Sequence, residues 1–251
     1  MSFPYIVWTL RRTGGTTLAA LLGTLSEHPT VPHEPFNPDR TFGHVAVQWQ
    51  NNRDPVLLRE AMQKVLLDRP VIKHCHEIVE PALNRCLMEV SHEFGYRHIV
   101  LDRRSEVERI LSLELAKITG VWGRQGSWKV YEQIKAGTIR LDPVRIPEAV
   151  DHLQYCRGRR AAIREHFEKL GIAPFDVYFE DVYRDPAEGR KLVASLLDFL
   201  GIKPEQRPDY EALLTEALMR KGQNSARVVD LIPNINETRS ALEAAWEQAY
   251  T

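Results

Sequence analysis

A short basic segment with two glycines carries the first residues that could do chemistry. Residues 11–18 read RRTGGTTL and lie between the apolar run YIVWTL and the helix-forming run AALLGTL. A strand, a glycine-containing turn and a helix N-terminus bring backbone N–H groups and the positive end of a helix dipole to one point. The hydroxyls of Thr13, Thr16 and Thr17 would add donors, and Arg12 would add a permanent charge that can bridge phosphate oxygens. The segment therefore predicts an anion-binding turn.

This turn differs from the loop that binds nucleoside triphosphates. That loop, GxxxxGK[ST], has a lysine directly before its last hydroxyl, where the amine reaches the β- and γ-phosphates. Here the basic residues Arg11 and Arg12 come before Gly14 and Gly15, and a threonine stands where the lysine would be. The turn therefore favours an anion other than a triphosphate.

The elements that must position this turn alternate along the chain. Apolar and β-branched runs predict four strands, at residues 5–10 and in the segments RPVIKHC, YRHIVLDRR and FDVYFED. Helices are predicted between them; Ser105 and Glu108 form a capping box for one, and Gly201 closes another. The proline-rich residues 28–39 predict an ordered loop without a helix. The alternation predicts an α/β protein with a P-loop-like, three-layer fold: a central parallel sheet of about four to five strands, flanked by helices, with ligands at the carboxyl ends of the strands.

Composition limits the compartment and the partners. The formal net charge of the 251 residues is −1, which argues against a global basic field for nucleic acid or a membrane surface. Cys75, Cys86 and Cys156 are unevenly spaced and form no CxxC, which fits a reducing compartment. The first apolar run is too short for a signal peptide or a membrane span. We expect a soluble, cytoplasmic protein with one domain over residues 1–251, an insertion at about 120–170 and a C-terminal segment at 205–251.

The turn resembles a known cofactor loop. An Arg or Lys followed by Thr or Ser, one or two glycines and Thr-Thr is similar to the 5′-phosphosulfate loop of sulfotransferases that use 3′-phosphoadenylyl sulfate (PAPS); the version with two glycines looks like that of some heparan sulfate sulfotransferases. The later segment LDRRSEVERILSLELA is similar to the family pattern R-D-P-x-E-R-x-x-S, with Ser105-Glu106 in place of the usual Asp-Pro. The resemblance assigns the 3′-phosphate to Arg104 and Ser112, and Arg109 also matches. An Arg fork and a hydroxyl suit a doubly ionised phosphate.

Other segments resemble the bacterial trehalose 2-sulfotransferase group. LAKITGVWGRQGSW looks like its A-x-Q-T-G-x-W segment, and the FDVYFED strand with its following helix is similar to one in that group, with Phe179 in place of the usual Tyr. In the C-terminal segment, a basic motif resembles one that touches the 3′-phosphate in cytosolic sulfotransferases: Arg220, Lys221 and Gly222. Arg227 is an alternative basic ligand there. Trp122 and Trp128 could stack on a sugar, on adenine or on a partner subunit, and the resemblance allows a homodimer.

The resemblance implies transfer of the sulfuryl group from PAPS to a hydroxyl of a carbohydrate or small-molecule acceptor, with 3′,5′-adenosine diphosphate as product and no metal. Such an in-line displacement needs a base for the acceptor proton and cations or N–H groups for the leaving phosphate. Arg12 and the N–H groups of the turn suit the second role. Glu34, in VPHEPFNP, matches the loop glutamate of the trehalose enzymes and is the first candidate base.

The segment VIKHCH offers a second candidate base. Cytosolic sulfotransferases carry K-x-H after the second strand, whereas here Cys75 stands two residues after Lys73 and histidines flank it. Strand alternation predicts that His74 and His76 share one face and that Lys73 and Cys75 share the other. Lys73 is therefore a candidate stabiliser of the transferred group, and His76 is the alternative base.

Two other functions stay open. One is a P-loop NTP-dependent, kinase-like enzyme, which the missing lysine and the lack of a clear Walker-B aspartate disfavour. The other is a non-catalytic nucleotide-binding module. The sequence does not name the acceptor, and we expect residues 33–55 and 120–145 to select it, because loops dominate there.

Overall fold

Four parallel strands form the centre of the protein, as the sequence predicted. The computed structural model describes residues 2–122, 127–204, 207–219 and 226–248, and for residues 226 and 227 it describes the backbone alone. The strands are β1 (Tyr5–Thr9), β2 (Ile72–Cys75), β3 (Arg97–Asp102) and β4 (Phe175–Tyr178). They pair in the order β2-β1-β3-β4, and every pair is parallel. The expected α/β class, with a parallel sheet flanked by helices, is confirmed.

Helices make up most of the rest of the described chain. In chain order they are α1 (Gly15–Leu25), α2 (Gly43–Asn52), α3 (Pro55–Leu66), α4 (Pro81–Glu93), α5 (Glu106–Thr119), α6 (Ser127–Lys135), α7 (Ile146–Lys169), α8 (Phe179–Tyr183), α9 (Pro186–Leu200), α10 (Tyr210–Met219), α11 (Ala226–Val229) and α12 (Ile235–Glu247). Ser105 caps α5 by accepting the backbone N–H of Glu108, and Gly201 ends α9 in the left-handed conformation. Residues 28–39 contain no helix, as predicted.

Side chains along β1 alternate between two hydrophobic clusters. Val7 packs among residues of α1, α9 and α10, and Trp8 packs among residues of α3, α4 and α7. All five residues of β1 are buried, because helices cover both faces of a parallel sheet. The register pairs Lys73 with Val7 and His74 with Trp8, so Lys73 and His74 lie on opposite faces, as alternation predicted.

Contacts divide the chain into two compact units. The first comprises Met1–Asp102 and Arg159–Arg220 and holds the sheet. The second comprises Arg103–Gly158 and Lys221–Thr251 and has a hydrophobic core of its own, which includes Ile110, Leu115, Leu153, Val228 and Leu242. Much of the predicted insertion and C-terminal segment falls in the second unit, and the single-domain organisation stays a prediction. Among the described residues, no helix has the length and apolar character needed to cross a membrane.

Two helical glycines allow a matched test of the packing. A Cβ at Gly189 in α9 would lie 2.2 Å from the carbonyl oxygen of Val182, whereas a Cβ at Gly158 in α7 would meet nothing within 4 Å. We expect Gly189→Ala to lower the free energy of unfolding by roughly 1–3 kcal/mol, because the added methyl overpacks α9 against α8. Gly158→Ala should raise it by about 0.5–1 kcal/mol through helix propensity. Urea unfolding of both variants measures the two changes in the free energy of unfolding. Equal changes would contradict the close contact between Gly189 and Val182.

Candidate functional site

The predicted anion-binding turn joins β1 to α1, and hydrogen bonds of its threonine side chains hold it in place. The hydroxyl of Thr13 is buried, contacts the hydroxyl of Thr9, and donates to the carbonyl oxygen of Leu10 at 3.0 Å. The Thr17 side chain is hydrogen-bonded to the hydroxyl of Tyr183. Thr16 is exposed in the first turn of α1. Of the three predicted hydroxyl donors, Thr13 and Thr17 thus fix the turn, and Thr16 is the one that faces solvent.

Crowding from α8 accounts for the first glycine of the turn. Gly14 has a φ of 77° and caps α1, and a Cβ there would lie 2.4 Å from the ring of Phe179. The rings of Phe179 and Tyr183 pack together with centroids 4.9 Å apart. Arg12 also has a positive φ, of 68°, which is uncommon for a residue other than glycine. The backbone of the turn is therefore held in one conformation by its neighbours.

Lys73 and Glu34 meet beside this turn. The Lys73 Nζ lies 2.8 Å from Glu34 Oε1, and the Glu34 backbone N–H donates to the Lys73 carbonyl oxygen at 2.9 Å. A Cβ placed on Gly15, the first residue of α1, would lie 3.2 Å from Lys73 Cε. Strand β2 thus brings a cation to the N-terminus of α1, and the proline-rich loop brings a carboxylate to that cation.

Opposing effects set the charge of Glu34. Burial alone would raise the pKa of its carboxyl, but the Lys73 ammonium, with help from His33 and Arg40, holds the pKa below its usual range. The Lys73 side chain is only 9% exposed and that of Glu34 is 27% exposed. Glu34 is therefore an ionised, half-buried carboxylate near neutral pH, in the state that a general base requires.

The alternative base, His76, lies in a different environment. Burial lowers the pKa of His76 to about 3, and its Nδ1 atom is buried with no hydrogen-bond partner among the described residues. His74 donates from Nε2 to Asn84 Oδ1 at 2.6 Å, and burial lowers its pKa to about 4. The pKa of Glu34 is lowered as well, so basicity does not separate the two candidates. His76 is only 3% exposed, whereas the Glu34 side chain is 27% exposed, so access from solvent favours Glu34 over His76.

Two residues without any sequence signal hold the segment after β2. Asn84 donates from Nδ2 to the carbonyl oxygen of His76 at 2.8 Å. Arg159 donates to the same oxygen and, at 2.6 Å, to the carbonyl oxygen of Val79. Asn84 lies only eight residues after His76, in the next helix, but Arg159 lies 83 residues away in α7, where no spacing rule could have found it.

Arg11 ties the turn to the same segment. Its backbone N–H and its Nε atom each donate to Glu77 Oε1 at 2.7 Å, and the Glu77 side chain is fully buried. A buried carboxylate needs such a partner because desolvation is costly. Arg11 therefore supports the backbone of the turn, and its predicted contact with a ligand stays a prediction.

The predicted 3′-phosphate ligands lie in the second unit. Arg104 is exposed and directly precedes the residue that caps α5, and Ser112 is buried two turns into that helix. Arg109, which also matched the pattern, forms a buried two-point ion pair with Glu106 at 2.8 and 2.7 Å. That Arg104 and Ser112 act with the turn of the first unit stays a prediction.

The C-terminal basic motif and the two tryptophans are the remaining predicted residues. Arg220, Lys221 and Gly222 lie outside the described residues, as does the side chain of Arg227. Trp122 and Trp128 are 50% and 72% exposed in the second unit, and their stacking on a ligand or a partner stays a prediction. The residue ranges expected to select the acceptor stay a prediction.

The indole of Trp8 is surrounded by neutral histidines. Its Nε1 atom donates to His98 Nδ1 at 3.1 Å, and its ring packs edge-on against His74. Burial lowers the pKa of His98 to about 3. Protonation of Nδ1 would remove the acceptor for the indole N–H, so this cluster requires neutral rings.

The cluster makes stability depend on pH. Because the folded pKa of His98 lies below the unfolded value near 6.5, the unfolded chain binds the proton first, and stability falls as pH falls below about 6.5. Between pH 7.5 and 5.5 the contribution is about 1.4 kcal/mol for each such group. His98→Gln keeps an acceptor for the indole but cannot titrate, so its loss of unfolding free energy over this range should be smaller by that amount. Urea unfolding of both proteins at pH 7.5 and 5.5 measures this loss. An identical loss in both proteins would refute the assignment of the pH dependence to His98.

A scan against family models and a search of curated proteins found no match for this chain. The sulfotransferase resemblance therefore stays a prediction.

Proposed function

We propose that this protein is a PAPS-dependent sulfotransferase that acts on a hydroxyl of a carbohydrate or small-molecule acceptor. The observation that carries the proposal is the meeting of Lys73 and Glu34 beside the N-terminus of α1. Sulfuryl transfer needs an anion-binding turn, a cation and a base, and these three occur together there. The motif order in the sequence, with Arg104 just before α5 and Ser112 within it, supports the same function.

The residues present suit an anionic donor. The first turn of α1 offers backbone N–H groups and a positive dipole end, and Thr16 adds an exposed hydroxyl. Lys73 supplies a positive charge from the neighbouring strand, and Arg12 supplies another from the turn itself. PAPS, when bound, would provide an activated sulfuryl group whose leaving group is a phosphate.

The chain's own residues would then perform the transfer. Glu34 accepts the proton of the acceptor hydroxyl as that oxygen bonds to sulfur and the bond from sulfur to the phosphate oxygen breaks. Lys73 and the N–H groups of α1 donate to the oxygens that gain negative charge. Positioning and charge stabilisation carry such a reaction, as in phosphoryl transfer. No step needs a covalent enzyme intermediate, and the expectation of no metal stays a prediction.

Nucleotide binding tests the donor. We expect 3′,5′-adenosine diphosphate at about 100 times its dissociation constant to stabilise the protein by about 2.7 kcal/mol, and 5′-AMP, which lacks the 3′-phosphate, to stabilise it less. Thermal unfolding with each nucleotide measures this. A larger stabilisation by ATP would favour the kinase-like alternative, and no stabilisation by 3′,5′-adenosine diphosphate would refute the proposal.

Removal of the base tests the chemistry. Glu34→Gln should lower sulfuryl transfer from labelled PAPS to a panel of carbohydrate and small hydroxyl acceptors by roughly 10²- to 10⁴-fold, the usual contribution of a general base. Binding of 3′,5′-adenosine diphosphate should survive. Glu27→Gln, which changes an exposed carboxylate beyond the end of α1, is the matched control. Binding without transfer by the unmodified protein, on every acceptor, would instead favour the non-catalytic module.

A further inference from the structure

The Lys73 side chain borders both Glu34 and the turn. Its Nζ atom pairs with Glu34 Oε1 at 2.8 Å. Its Cε atom lies 3.2 Å from the position of a Cβ on Gly15, where α1 begins. An ammonium has three N–H donors, so the pair with Glu34 does not exhaust it. Lys73 can therefore serve either the carboxylate or an anion bound at the turn.

A nearly buried ammonium at this place needs a negative partner. The N-terminus of a helix carries partial positive charge, which favours anions and disfavours cations. Desolvation adds to the cost, because the Lys73 side chain is only 9% exposed. The Glu34 carboxylate offsets both effects. Without a ligand, Glu34 therefore takes the electrostatic role that the ligand's own anion would take.

The backbone allows this partner to be exchanged by a side-chain movement alone. The Glu34 N–H is bonded to the carbonyl oxygen of Lys73, and the Glu34 carbonyl oxygen accepts from the N–H of Asn37 at 3.1 Å. Glu34 also has a φ of 59°, in the left-handed region, which these neighbours maintain. The Cα position of Glu34 is therefore fixed, while its half-exposed carboxylate can turn from Lys73 toward an acceptor.

We propose that an anion bound at the turn competes with Glu34 for Lys73, so that donor binding releases the Glu34 carboxylate to act as the base. The inference rests on the proposed function, because it takes the donor anion to bind at this turn. Its consequence is an order of events: the base gains its full strength only after the donor is in place. Lys73 would thereby couple binding of the donor to release of the base that acts on the acceptor.

Other charged groups around Glu34 do not supply the same coupling. The titratable and charged groups that face its carboxylate are Lys73, His33, Arg40, His74 and Cys75. Burial lowers the pKa of His74 and raises that of Cys75, so both are neutral near pH 7. The pKa of His33 is also lowered, by burial first and then by Lys73. Lys73 is the charged group among these that also borders the turn.

A double-mutant cycle on nucleotide affinity tests the exchange. We would measure the dissociation constant of 3′,5′-adenosine diphosphate by calorimetry for the unmodified protein, Glu34→Gln, Lys73→Met and the double variant. Glu34→Gln should tighten binding roughly 10-fold, within the usual range of coupling between two sites, because Lys73 is then released to the nucleotide. In the Lys73→Met background the same change should alter affinity by less than about 2-fold, since no exchange remains.

Several outcomes overturn the exchange. Equal tightening in both backgrounds would mean simple repulsion between Glu34 and the nucleotide, and no tightening in either would mean no competition. If the nucleotide binds in either of these cases, only the proposed competition between the anion and Glu34 is refuted, and the proposed function survives. If none of the four proteins binds the nucleotide, the proposed function is refuted as well. Lys64→Met and Glu27→Gln change exposed residues away from the turn and should leave affinity unchanged. Lys73→Gln, which keeps a neutral donor, replaces Lys73→Met if that variant does not fold.

Discussion

Alternation of side chains along the central parallel strands is the constraint on which the rest of this structure depends. Helices cover both faces of the sheet, so every residue of β1 is buried and each successive side chain must belong to a different cluster. The same rule on β2 sends Lys73 toward α1 and His74 toward Trp8. One strand thereby separates a charged site from an aromatic core, and a shift of register by one residue would exchange them.

Charge pairing is the second constraint, since a buried charge without a partner is unstable. In the first unit, Glu77 is paired with Arg11, and Lys73 is paired with Glu34. In the second unit, Arg109 is paired with Glu106 inside α5. The pairs differ in what surrounds them. The Glu77 and Glu106 carboxylates are fully buried, whereas Glu34 keeps partial exposure, which suits the role proposed for it.

The turn also shows how one sequence pattern can serve two physical needs. Its glycines suit the close approach of an anion to the backbone, yet the ring of Phe179 leaves no room for a Cβ at Gly14, and a Cβ at Gly15 would lie only 3.2 Å from Lys73 Cε. Its threonines suit an anion too, but the hydroxyls of Thr13 and Thr17 bond to protein partners. Thr16 is the hydroxyl of the turn that is exposed. Packing thus uses the same residue types that an anion-binding turn would require.

Local patterns in the sequence were sufficient to predict the four strands, the α/β class, the cap at Ser105, the end of α9 and the opposite faces of Lys73 and His74, because period and capping are local properties. They also singled out Glu34 and Lys73, although as separate candidates. Only the folded chain shows that these two form an ion pair beside α1, that Arg159 holds the segment after β2, and that His76 is buried away from solvent. The two contacts join residues that are 39 and 83 positions apart, and burial depends on elements that the local pattern does not contain.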